Sequence, residues 1–355
     1  MPNFSEGRDH RVIDAIGHAA GAAHVLDVDP DPDHHRTVIS LLAPRDRMIE
    51  SLLGAVAEAR EQIDLRAHSG VHPRVGAADV VPVVPMGEVT LEACHDLARE
   101  LGEQIWSRLQ IPVYLYGHGE RWTLADIRSG RARPDLGGPD LHPTAGAVCV
   151  GARRLLVAFN VLLPGMTVSG ASTIARSLRE SRGGMRGVQA LVFELPGSRV
   201  QLSMNLFRVD ETPPAAVVEE LRRRGVEVGE QQLVGLCPAV AANQAASGRI
   251  LEARIGAAAA RAGASLTPSD DEGRALAHRL LSEADGLAAL GVSQEELLAG
   301  AERCAALAPV LRAAGILSEE LEAMSMLAAR GLRAAVNDAT RSAYVARMAA
   351  LDRRL

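Results

Sequence analysis

The order of amphipathic helices and short apolar strands constrains this chain more tightly than any other feature. Arg8 to Gly21 carries apolar residues at helical spacing (Val12, Ile13, Ile16, Ala19, Ala20) and stops at a glycine. His24 to Asp29 and Arg36 to Leu42 read as strands around an acidic turn. Arg45 to Asp64 is a long amphipathic helix with Met48, Ile49, Leu52, Leu53, Val56 and Ile63 as its buried stripe. A strand over Asp79 to Pro85, a helix over Thr90 to Gln110 and a strand over Ile111 to Tyr116 follow. With a short leading strand at Pro2 to Ser5, the first five of these elements make a β-α-β-β-α-β unit, the split arrangement of ferredoxin-like folds.

The same order returns further on. Residues 117–146 are loop-like, and strands are expected at Ala147 to Val150 and Leu155 to Leu163. A helix over Val168 to Ser181, strands at Val188 to Leu195 and Val200 to Phe207, a helix over Pro214 to Arg224 and a strand over Val226 to Leu236 complete it. The fold class is therefore α+β: two ferredoxin-like units whose facing sheets leave a cleft or tunnel, followed by an all-helical appendage. The expected divisions are 1–146, 147–264 and 265–355. The tail, with Leu317, Leu321, Met324 and Leu327 at helical spacing, reads as an assembly element, which makes a homo-oligomer the expected state.

Chemistry concentrates between Ile63 and Pro85, in IDLRAHSGVHPRVGAADVVPVVP. Gly70, Pro73 and Gly76 break any helix there, and a valine-rich strand follows, in which Pro82 points to an edge or a bulge. A charged loop feeding a buried strand is where a rigid scaffold presents catalytic groups. His68 and His72 can take and give a proton near neutral pH, and Pro73 stiffens the backbone beside His72. The plainer alternative is a histidine held at the core edge by a hydrogen bond.

Composition excludes several mechanisms. All 38 basic residues are arginine, so neither a lysine Schiff base nor a Walker A loop is possible. The net charge of −6 argues against a nucleic-acid partner, while guanidinium forks remain suited to small carboxylates. No apolar run reaches a membrane span, and MPNFSEGRDH has no signal-peptide pattern, so a cytoplasmic protein with no membrane partner is expected. The scattered Cys94, Cys149, Cys237 and Cys304 read as reduced thiols. Asp27, Asp29, Asp31 and Asp33 alternate like the start of a calcium loop, but Pro32 and Val38 stand where glycine and glutamate are required. His34, His35, His68 and His72 lack the helix that would align them on a metal, so none is expected. Asp27 or Asp29, at a strand end, is a candidate to face the cleft. GGPDLHPTAG (Gly137 to Gly146) is either a linker or a loop admitting a ligand to its backbone amides.

The wording of several segments adds to this reading. PNFSEGR (Pro2 to Arg8), LDVDPDPDHHRTV (Leu26 to Val38), HPRVGAADVVPVVP (His72 to Pro85), IPVYLYG (Ile111 to Gly117), AGAVCVGARRLLVAFNV (Ala145 to Val161), LSMNL (Leu202 to Leu206) and LVGLCP (Leu233 to Pro238) resemble, in the same order, the glutamate formimidoyltransferase family. The resemblance runs from residue 2 to about residue 262. It implies two ferredoxin-like subdomains facing across a folate tunnel. It also implies transfer of a formimidoyl group from N-formimidoyl-L-glutamate to N5 of tetrahydrofolate, a co-substrate. The family's acid/base histidine falls on His72, and its folate loop on Gly137, Gly138, Pro139, Asp140, Leu141, His142, Pro143, Thr144, Ala145 and Gly146. Arg36, Arg66, Arg74 and Arg153 are then candidates for the substrate carboxylates, and Asp27 or Asp29 for contact with the pterin or with His72. The chain departs from the family at Val71, where a glutamate is usual, and at His35, where an asparagine is usual. A folate-binding or regulatory protein without transfer activity, or a transferase using a formyl group or another donor, is the alternative.

Overall fold

The computed structural model describes residues 1–86, 89–238, 241, 249–251, 254, 255 and 258. The helical tail expected over 265–355 lies outside the described residues. Two compact units are present, and residues 1–208 with 221–235 form the first, which carries both sheets of a mixed α+β architecture.

The elements of the first sheet are β1 (Asn3–Phe4), α1 (His10–Ala19), β2 (His24–Asp31), β3 (Arg36–Leu42), α2 (Arg45–Gln62), β4 (Ala78–Val83), α3 (Leu91–Leu109), β5 (Val113–Gly117), α4 (Leu124–Arg128) and β6 (Val148–Ala152). Their strand order is β2-β3-β1-β4-β6-β5. The two-residue β1 is interior, antiparallel to β3 on one side and β4 on the other, so the short leading strand is present where the chain path requires it. Beyond β4, β6 and β5 pair in parallel. The strand expected at Ala147 to Val150 as the start of a second unit is thus β6 of the first sheet. Its near-continuous apolar sequence suits a parallel strand buried on both faces.

Strand periodicity sorts the two faces. Ile39, Val81, Val83, Val113, Leu115, Val148 and Val150 join Ile16, Leu52, Val56, Leu97, Leu101 and Ile105 of α1, α2 and α3 in one core. On the opposite face, α4 covers Tyr114, Tyr116 and Cys149 with Ile127. A residue is inserted in β4 opposite β1: Asn3 pairs with Val80 and Phe4 with Ala78, so Asp79 bulges between them. The bulge is at Asp79 rather than at Pro82. Pro82 is tolerated in an interior strand because β1 pairs only as far as Val80.

The second sheet comprises β7 (Val157–Leu162), α5 (Val168–Leu178), β8 (Val188–Leu195), β9 (Arg199–Leu206), α6 (Pro214–Arg223) and β10 (Gln231–Val234), in the order β10-β7-β9-β8. The chain paths β1-α1-β2-β3-α2-β4 and β7-α5-β8-β9-α6-β10 therefore give the same spatial order of their four strands. Thr167 caps α5 by accepting from the Gly170 N–H, and Ala171, Ala175 and Leu178 form its buried stripe. In the second unit, Cys237 and Ile250 form a parallel bridge, with Cys237 N–H donating to Arg249 O and Leu251 N–H to Cys237 O, both at 2.9 Å. Among the described residues, Cys94, Cys149 and Cys237 are buried and form no disulfide, and no helix is long and apolar enough to cross a membrane.

Candidate active site

Residues of both sheets, all within the first unit, line a cavity of about 170 Å3. From the six-stranded sheet come Asn3, Asp29, Asp31, Arg36, Val38 and Val80, with Tyr116, Leu124, Arg128 and Arg153 on one flank. The four-stranded sheet contributes Ala158, Asn160, Ser203, Asn205 and Val234. The strand period explains the split: Phe159, Val161, Leu202 and Met204 are buried, and the residues between them reach the cavity. Hydrogen bonds tie the two sheets beside it, from Gly235 N–H to Asp29 Oδ2 (2.7 Å) and from Gln232 Nε2 to Asp31 Oδ2 (3.5 Å).

His72 enters from the loop that follows the 3₁₀ turn Leu65–Ala67. Three features hold that loop. Arg74 donates to His72 O (2.9 Å) and lies against His68. Asp79 Oδ1 accepts from Val75 N–H (2.7 Å), and Ser5 Oγ donates to Gly76 O (2.7 Å). Gly76 is needed because a Cβ there would lie 1.7 Å from Ala147 O. The imidazole Nδ1 lies 2.7 Å from Pro73 O, an acceptor, and 2.5 Å from the Arg36 guanidinium, a donor. The same guanidinium lies 2.8 Å from Nε2, so Arg36 faces both ring nitrogens. Burial, then the nearby Arg36 and Arg128 cations, push His72 far below the ordinary imidazole range. At neutral pH it is an uncharged base.

Arg36 also donates to Asn3 Oδ1 and lies 3.7 Å from Asp79 Oδ2. Burial lowers Arg36 to about 10, against the opposing pull of Asp79, so it stays charged. Arg128 Nη2 donates to the same carboxylate at 2.9 Å. The Asp79 bulge thus aims two guanidinium groups while anchoring the histidine loop. Arg153, lowered by burial against the raising effect of Tyr116, supplies a third cation. Opposite in sign are Asp29, which is buried, and Asp31. Burial raises Asp31, but its hydrogen bonds from His34 outweigh that and keep its carboxyl below the ordinary range.

Of the residues singled out from the sequence, the cavity gathers Asp29, Arg36, His72 and Arg153. Asp27 is not on its wall. Arg66 is exposed and paired with Asp64 at 2.6 Å, and Arg74 braces the histidine loop from behind. None of Gly137 to Gly146 lines the cavity, but the end of that segment is fastened to the histidine loop: Leu65 N–H donates to Thr144 O (2.9 Å), and Gly146 bridges to Gly76. Arg128, Asp79, His34 and Asn3 are site residues that sequence reasoning did not select. A buried aspartate at the head of a valine strand was the available signal for Asp79. Arg128 gave none, since α4 is one short turn in a segment read as loop. Among the described residues no group of three His, Cys, Asp or Glu side chains is placed to hold a metal ion.

A neutral imidazole beside guanidinium and carboxylate groups suits a class of proteins that bind small carboxylate-bearing molecules. The comparisons with known proteins narrow it. Residues 1–153 match the family model described as the formiminotransferase domain, N-terminal subdomain, and the match ends just after β6. The chain is 38% identical over 265 residues to a glutamate formimidoyltransferase of Thermoplasma acidophilum, covering 67% of this chain and 87% of that protein. It is 36% identical over 265 residues to a glutamate formimidoyltransferase of Streptococcus pyogenes serotype M1, covering 68% and 89%. A formimidoyltransferase-cyclodeaminase of Rattus norvegicus is 36% identical over 277 residues, 70% of this chain and 51% of that protein. The chain belongs to the glutamate formimidoyltransferase family, a family of transferases.

Proposed function

We propose that this enzyme transfers a formimidoyl group from N-formimidoyl-L-glutamate to N5 of tetrahydrofolate, releasing L-glutamate, with His72 as general acid/base. The observation that carries the reading is the charge pattern of the cavity. The donor bears two carboxylates and a formamidine that is cationic when protonated. The wall offers three guanidinium groups (Arg36, Arg128, Arg153) and two carboxylates (Asp29, Asp31) around the imidazoles of His72 and His34. Arginine forks suit the donor's carboxylates, and the aspartates suit its amidinium. Asn160 and Asn205 add neutral donors and acceptors.

The chemistry follows from that placement. The N5 lone pair attacks the amidine carbon, an N–C bond forms, and the C=N electron pair moves onto nitrogen. His72 Nε2, freed when a substrate carboxylate draws Arg36 away, takes the N5 proton. The tetrahedral adduct collapses when the glutamate nitrogen leaves with the electron pair of the breaking C–N bond and a proton. A positioned acid/base contributes about 10²- to 10⁴-fold to such a step. We read the loop Gly137 to Gly146, fastened beside the histidine loop, as the further folate contact outside the cavity wall. The shared β-α-β-β-α-β path and strand order support reading both sheets as ferredoxin-like subdomains.

Purified protein supplied with tetrahydrofolate and either formimidoylglutamate or formylglutamate tests the proposal. Formation of 5-formimidoyltetrahydrofolate with the first donor, at a kcat/KM at least about tenfold above the second, is expected. Folate binding without transfer from either donor would overturn it.

A further inference from the structure

A second imidazole faces the same cavity. His34, in the turn between β2 and β3, is 4% exposed, and it lines the cavity with Asp31. Its backbone N–H donates to Asp31 Oδ1 at 2.9 Å, and its Nδ1 lies 2.8 Å from Asp31 Oδ2. A carboxylate only accepts, so Nδ1 carries the proton, and Nε2 is left without a hydrogen-bonding protein partner among the described residues. The His34 and His72 rings stand 6.3 Å apart, edge to face. Phe193 of β8 packs on both, at 5.4 Å from His34 and 5.7 Å from His72, so an apolar wall fixes the pair from the second sheet.

We propose that His34, held by Asp31, is a second catalytic residue that donates the proton to the departing glutamate nitrogen, while His72 accepts the proton from folate N5. The inference rests on the formimidoyl-transfer reading above. The spacing suits a divided proton transfer. Two nitrogens on one tetrahedral carbon are roughly 2.4 Å apart. Hydrogen bonds of about 2.9 Å from each let the two imidazole nitrogens stand up to roughly 8 Å apart, a range that accommodates rings whose centroids are 6.3 Å apart. The surroundings differ as an acid and a base require: His72 sits against Arg36 and Arg128, whereas His34 sits against a carboxylate. Asp31 fixes the tautomer and counters the charge of the protonated ring, as the carboxylate does in hydrolase triads. The balance closes. The N5–C bond forms as N5–H passes its proton to His72 Nε2, and the C–N bond to glutamate breaks as His34 Nε2–H protonates the leaving nitrogen. The surplus proton on His72 returns to His34 through solvent before the next turnover.

Two variants test this with formimidoylglutamate and tetrahydrofolate. His34→Gln keeps an N–H donor for Asp31 but passes no proton, and His34→Ala leaves room for free imidazole. Both are expected to lose about 10²- to 10⁴-fold in kcat, with the tetrahydrofolate Kd within about threefold of wild type, and imidazole should restore His34→Ala at least about tenfold. A His34→Gln enzyme with kcat within about threefold of wild type would overturn the proposal, and so would loss of folate binding in both variants without imidazole rescue. If neither variant folds, Asp31→Asn decides. A kcat loss above about tenfold at unchanged Kd supports the proposal, and an unchanged kcat refutes it. Wild-type protein that binds folate yet transfers nothing would remove the reaction itself, a result distinct from an active wild type whose His34 variants are unaffected.

Discussion

Replacing Asp79 with asparagine separates charge from shape at the group on which the site depends. The carboxylate is 2% exposed, lies 2.9 Å from Arg128 Nη2 and 3.7 Å from Arg36 Nη2, and accepts from Val75 N–H. Asparagine fills the same volume and retains an oxygen for Val75, but leaves two guanidinium groups without their counter-ion. Removing one partner of a buried ion pair costs about 3–5 kcal/mol. Two cations share Asp79, which raises the figure, but their side chains are 16% and 21% exposed, so water screens part of it. The expected loss is about 3 kcal/mol, read as a urea midpoint lowered by about 1 M or more. Unfolding of Asp79→Asn, Arg128→Met and the double variant forms a cycle whose coupling should be about 1–3 kcal/mol. In steady-state assays kcat/KM for formimidoylglutamate should fall at least about tenfold, because Arg36 and Arg128 lose their aim. A stability loss below about 0.5 kcal/mol, with additive single effects, would refute the assignment of Asp79 as the organiser of the cavity.

Other outcomes follow from the histidine loop. Gly76→Ala puts a methyl 1.7 Å from Ala147 O, with backbone on both sides, so melting should fall with a loss of about 2 kcal/mol or more, and a melting curve matching wild type would contradict the packing. Burial, then Arg74 and His35, lower His68 to about 4, and His35 and His72 are lowered as well. The unfolded chain therefore takes up protons below the ordinary imidazole pKa of about 6.5 that the native state refuses, so stability from these groups is complete above that pH and is lost as pH falls from about 6.5 toward 4. Urea midpoints measured between those values should drop, and less steeply in His68→Gln; a flat profile would contradict the sign.

Most of the fold was legible because it rests on period and punctuation. The stripe Leu52, Leu53 and Val56 marks α2, and the alternation of Phe159 and Val161 with Ala158 and Asn160 marks β7. β6 was assigned to the wrong sheet because a short apolar run carries no record of its partner. Its pairing with β4 and β5 is a tertiary matter. The departure at His35 has a backbone reading: φ is 51°, in the left-handed region where asparagine is at ease and histidine is tolerated, and its Nδ1 accepts from Gly7 N–H at 3.2 Å. Val71 is 39% exposed, so no carboxylate from that position stands beside His72, and Arg36 is its charged neighbour instead. His72, Arg36 and Asp29 could be chosen from residue type and loop context. Asp79 and Arg128 could not, because their roles arise from a bulge and a five-residue helix that bring distant segments together.

His72→Ala tests the central claim most directly, in single-turnover transfer from formimidoylglutamate with the tetrahydrofolate Kd measured in parallel. A rate lowered by about 10²- to 10⁴-fold at an essentially unchanged Kd is the predicted result. Near-normal turnover, with 5-formimidoyltetrahydrofolate formed at the wild-type rate, would contradict the account.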